Sequence, residues 1–351
     1  MLVNIAGLAV VIVFYVVVMT VGVWAGRKVH APPSGSRRAS RGSIIHFSSR
    51  ADSNEDRNLY LLKLFVANRD MPLFVGITSM TATRAGAGYL LGSAAAVFSY
   101  GLVHVQAPIG YAISLLCGGR FFAQKMRNTK SLTMIDPLQQ HYGRWMGLML
   151  SLTAACADIF WTAATFTTLG QIGNIMLGLD ATAFILTTAV TIFTYTGMGG
   201  LYSVAYTDVL QLAVTFLGMW TCVAYCAMSK AAGLVGPPLN QWQGPVRGTG
   251  FLQMIDQFLM AVCGGIPWQA YFQRVLASKT VFDAKILSFM TALGCLAVSV
   301  PAIVIGGIAK NAKEKRFSRA PVALAAEGTR SPACRWSSGL ELSSAASDWD
   351  W

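Results

Sequence analysis

Eight stretches of this chain carry at most one Lys, Arg, Asp or Glu apiece: residues 5–26, 71–99, 103–123, 146–176, 182–196, 204–228, 251–272 and 284–309. An α-helix needs about 20 apolar residues to cross the hydrocarbon core of a bilayer. All but the short fifth stretch meet that length. In lipid the backbone has no water to bond to, so apolar segments of this kind are helices. The chain is therefore expected to be an all-α polytopic membrane protein with about eight transmembrane helices.

Composition supports the same class. Apolar residues make up 54% of the chain and charged residues 12%, about half the charged share of an ordinary soluble domain. The net charge of +12 sits almost entirely between the apolar stretches, which argues against nucleic acid as a partner. Residues 27–69 hold nine Lys or Arg, and further basic residues follow the third and seventh stretches, including Arg274. The alternate loops carry few. Basic loops face the cytoplasm, so the N-terminus is expected outside the cell. Eight spans then put the basic tail on the outside, against that rule. The expected organisation is a first transmembrane helix at 1–28, a basic and partly disordered cytoplasmic loop at 29–69, core helices at 70–309, and a disordered tail at 310–351.

No enzyme chemistry is visible. The histidines at 30, 46, 104 and 141 make no metal-binding pattern, and the cysteines make no CxxC pair. Two spans carry breaks instead. The second contains MTATRAGAGY, and the seventh contains Gly264, Gly265 and Pro267. Proline lacks an N–H and clashes one turn back, so the helix is expected to open near Cys263. Interrupted helices in transporters mark substrate and ion sites near mid-membrane. Tyr89, Tyr111, Phe160, Trp161, Trp268 and Tyr271 lie in or near these segments, and aromatic faces attract cations. Asp158 and Asp256 lie inside spans, where a carboxylate is expected to face a cavity, a cation or a partner. Asp208 reads as an interfacial acid at a helix N-terminus.

Five motifs sharpen this picture: MTATRAGAGY, APIGYAISL, TMIDPLQQHYG, GGLYSVAYTDVLQL and GGIPWQAYFQRVL. They resemble the choline-transporting members of the sodium:solute symporter family over residues 5–28 and 68–308. The resemblance implies an incomplete LeuT-like inverted-repeat transporter fold. It implies sodium-coupled, chloride-dependent choline uptake across the plasma membrane, of the presynaptic kind, with no cofactor beyond the coupling ions. A homo-oligomer is compatible with it. Carried over by position, Tyr111, Trp161 and Trp268 would cage choline, and backbone carbonyls near Ile77 and Met80 would supply part of a sodium site. The family pattern has MTATW, whereas Arg84 stands here in place of the expected tryptophan. Arg84 would either stack in the cage itself or turn aside to pair with Asp158. The resemblance also implies that this chain lacks later spans that complete the sodium site, so it is expected to be inactive alone. The alternatives are a related symporter with another small substrate, and a non-transporting membrane subunit that modulates a full-length transporter.

Overall fold

A computed structural model of the chain describes residues 4–30, 54–229, 243–244 and 249–310. Among these residues the fold is all-α, with one isolated bridge between Met71 and Ser278. The tail from 311 and residues 31–53 of the first loop, both expected to be disordered, lie outside the described residues.

The first span is α1 (Ile5–His30). A helix not expected from the loop composition follows, α2 (Asn54–Val66). The second span is interrupted, as the glycines suggest. α3 (Leu73–Arg84) ends, Gly86 is extended, and α4 (Ala87–Ser99) begins. The third span runs through α5 (Ala107–Cys117), a π-helical turn at Gly118–Phe122, and α6 (Ala123–Thr129). A Cβ on Gly118 would lie 2.8 Å from the Tyr271 ring, and one on Gly119 would lie 2.6 Å from Ser288 Cβ. Only bare backbone fits that approach.

A short connector, α7 (Ile135–Tyr142), precedes the long α8 (Arg144–Leu177). α9 (Ala181–Met228) has 48 residues. At 1.5 Å per residue that is about 72 Å, more than twice the bilayer core. Its path breaks at Gly200, whose φ of 50° and ψ of −141° are not helical. The fifth and sixth expected spans therefore meet at one glycine rather than across a loop. The seventh span is interrupted too: α10 (Thr249–Gly265) stops, Pro267 and an extended Trp268 follow, and α11 (Gln269–Ala277) resumes. α12 (Val281–Lys310) completes the described bundle.

α12 is the central post. In its most apolar stretch 61% of residues are buried, against 6% in α8. One core cluster joins Met80, Leu115, Tyr271, Val275, Leu287 and Cys295 around it, and a second joins Tyr89 and Leu90 of α4 to Val298 and Ala302. α8 touches the bundle through α1, α4, α7 and α9 and leaves most of its length exposed.

Candidate cation site between the interrupted helices

Both breaks open toward the same point. α3 ends at Arg84 and α10 ends at Gly265. The Arg84 guanidinium donates from Nη2 to the Gly265 carbonyl oxygen at 2.6 Å. Its Cζ lies 4.2 Å from the Trp268 ring centroid and 4.9 Å from that of Tyr111. These are cation–π distances. Trp268 reaches this point because the Pro267 break holds it extended, ahead of α11. Tyr111 comes from α5, where Tyr89 of α4 stacks on it at 5.9 Å with 24° between planes. Tyr89 is fixed in turn by donating its hydroxyl to the Cys295 carbonyl at 2.8 Å.

Arg84 is only 5% exposed, and its Nε is buried without a partner. Among the described residues no carboxylate forms an ion pair with it. A buried cation without a counter-ion is costly. Two ring faces and one carbonyl offset part of that cost. The geometry is an aromatic cation site whose occupant is the chain's own arginine.

The residues singled out from sequence divide into two groups. Tyr111, Trp268 and Arg84 come together. Trp161 does not: it lies on the open side of α8 and is 49% exposed. α8 is apolar nearly all round, so its sequence pattern does not say which face turns inward. Asp158 also sits on exposed α8 surface, away from Arg84, and Asp256 sits on exposed α10 surface. Neither forms an ion pair among the described residues. Ile77 is partly buried against the central cluster and Met80 fully so. They lie about two turns and one turn before the break in α3, and the Ile77 carbonyl already accepts the Thr81 hydroxyl at 2.8 Å.

One pair was misread from sequence. Asp208 is not an interfacial cap, and Arg274 is not a loop residue. Arg274 lies in α11 and pairs with Asp208 of α9 at 3.4 Å, their side chains 5% and 13% exposed. Ser79 donates to Asp208 at 2.5 Å, and Arg274 donates to Thr83 at 2.9 Å. This network ties α3, α9 and α11 together one turn from Arg84. The available signal was an acid inside one apolar segment and a base two residues past the end of another, a combination that pairing makes tolerable.

Residues 64–312 match the profile of the Sodium:solute symporter family. The chain is 42% identical over 310 residues to the high-affinity choline transporter 1 of Drosophila melanogaster, covering 88% of this chain and 46% of that protein. It is 40% identical over 313 residues to the high affinity choline transporter 1 of Homo sapiens, covering 87% and 50%. The chain thus spans about half the length of these relatives. Among solved structures it resembles a Na+-coupled sialic acid symporter in a substrate-bound outward-open state. The TM-score is 0.68 at 15% identity, covering 92% of this chain and 65% of that one.

Proposed function

Because the chain belongs to the sodium:solute symporter family, we propose that it serves sodium-coupled uptake of choline across the plasma membrane, with chloride as accompanying ion. The carrying observation is the Tyr111–Trp268 pair with a cation seated on it. Choline is a permanent cation too large and too poor in hydrogen-bond donors for a polar cage. Ring faces suit it, each contributing roughly 0.5–2 kcal/mol when water is excluded. Backbone carbonyls at Ile77 and Met80, beside the break in α3, are the proposed contribution to a sodium site. Trp161 is left out of the cage because of its place on α8. Arg84 competes with choline for the same faces, so entry of choline requires the guanidinium to swing off the rings. The basic loops are taken to face the cytoplasm.

One observation favours a second reading. The buried, unpartnered Nε of Arg84 suits a substrate that carries a carboxylate, which would neutralise the guanidinium in place. Labelled choline uptake in transfected cells tests the first reading, in sodium and in sodium-free medium, with this chain alone and beside a full-length relative. Sodium-dependent uptake by the chain alone supports it. Absence of choline binding in both the purified chain and its Arg84→Trp variant sinks it.

A further inference from the structure

A second concentration of charge lies at the end of the bundle away from the interrupted helices' breaks. The turn Ala67–Arg69 leads into α3. Its three residues have φ of 48°, 53° and 55°, a left-handed run that L-residues rarely adopt. The run is clamped: Tyr202 donates its hydroxyl to the Ala67 carbonyl at 2.8 Å, and Gln273 donates to the Phe65 carbonyl at 2.9 Å. The clamped turn delivers the Arg69 guanidinium to the carbonyl of Lys130, itself left-handed at φ 53°. Three residues before Lys130, Arg127 donates to the carbonyls of Ser278 at 2.7 Å and Lys279 at 3.0 Å. The Arg69 and Arg127 charges lie close enough to repel each other, and Arg69 Nε is buried without a partner.

Arg69, Arg127, Lys130 and Lys279 are thus linked through the carbonyls of Lys130 and Lys279, and the ion pair among them is that of Lys279 with Asp70 at 3.0 Å. The next acid along, Asp283, accepts from the Thr280 backbone N–H and forms no ion pair among the described residues. Like charges brought close together repel, and an anion placed among them relieves that repulsion. We propose that this cluster binds a phosphate group, presented as the headgroup of an anionic phospholipid. Guanidinium N–H groups match phosphate oxygens, and each arginine keeps N–H groups beyond those that donate to the carbonyls. Anionic headgroups lie at the membrane surface that basic loops face.

The cluster's position gives the bound phosphate a consequence. Arg69 precedes α3, the first half of one interrupted helix. Ser278 and Lys279 follow α11, the second half of the other. Met71 N–H already bonds the Ala277 carbonyl at 3.2 Å. A phosphate spanning Arg69, Arg127 and Lys279 adds a second tie between the two helices whose other ends line the Arg84 site. It would hold that pair of half-helices together.

The test uses the purified full chain in neutral detergent, with thermal unfolding followed by tryptophan fluorescence. Dioctanoyl phosphatidylinositol bisphosphate is expected to raise Tm by a few degrees, and dioctanoyl phosphatidylcholine to leave it unchanged. Inorganic phosphate at matched ionic strength forms the third arm. A shift with the lipid alone supports a membrane headgroup. An equal shift with inorganic phosphate overturns the lipid source and leaves a soluble phosphate site. Lys130→Gln, whose side chain is exposed, is expected to weaken apparent affinity for the lipid about fivefold, the worth of one cation at a lipid surface. Arg69→Gln is expected to do the same or more. No shift in any arm, or shifts that both variants retain in full, overturns the proposal. The readout is the ligand-dependent change, so a variant of lower basal stability remains informative.

Discussion

Replacing Arg84 by tryptophan removes a cation from its ring faces and adds a third face. The magnitude follows from the distances. The guanidinium carbon lies 4.2 Å from one ring centroid and 4.9 Å from the other. A choline nitrogen seeking the same faces cannot avoid coming within about 5 Å of it. Two unit charges at that distance repel by about 3 kcal/mol at an effective dielectric near 20. Loss of that repulsion corresponds to roughly 100-fold in affinity, and one more aromatic face adds about 1 kcal/mol. Arg84→Trp is therefore expected to bind choline at least about 100-fold more tightly than the parent chain. Arg84→Ala should recover most of the gain, less the cost of the cavity it leaves. Equilibrium binding of labelled choline to the purified proteins reads both numbers. If neither substitution changes affinity by more than about threefold, the cation site is not where choline binds, and the electrostatic reasoning fails.

Trp268→Ala should cost choline affinity about tenfold or more in the Arg84→Trp background, and Trp161→Ala should cost nothing measurable, because only Trp268 faces the site. Asp208→Asn or Arg274→Gln leaves one member of a largely buried pair uncompensated, which costs about 3–5 kcal/mol. Each should lower Tm strongly, and the double variant should be less damaged than the sum of the two. Gly200→Ala forces a side chain onto φ 50°, ψ −141°, a region open essentially to glycine alone. A loss of about 1–3 kcal/mol is expected, visible as a lower Tm in the same thermal assay.

Several features were readable from residues alone. Span length and the scarcity of charge announced an all-α membrane bundle. Gly265 and Pro267 announced the second interruption, because a ring without an N–H cannot continue a helix. MTATR marked Arg84 as the odd residue of its motif. The sequence said nothing firm about rotation. In a soluble helix the apolar stripe points to the core, but α8 is apolar on nearly every side, so Trp161 was as eligible for the interior as Trp268. The same gap hid the Asp208–Arg274 pair. Their positions are 66 residues apart, and only the packing of α9 against α3 and α11 brings the two charges together.

Local chemistry thus determined most of the apolar helices and the two breaks at Gly86 and Pro267, though not α2 or the break at Gly200. Tertiary packing decided which side chains meet at the breaks. It alone chose between the two fates open to Arg84, stacking on rings or pairing with Asp158. The physical reason is that hydrogen bonding along a helix is satisfied within a few residues of chain, whereas the partner of a buried charge is set by how whole helices turn about their axes.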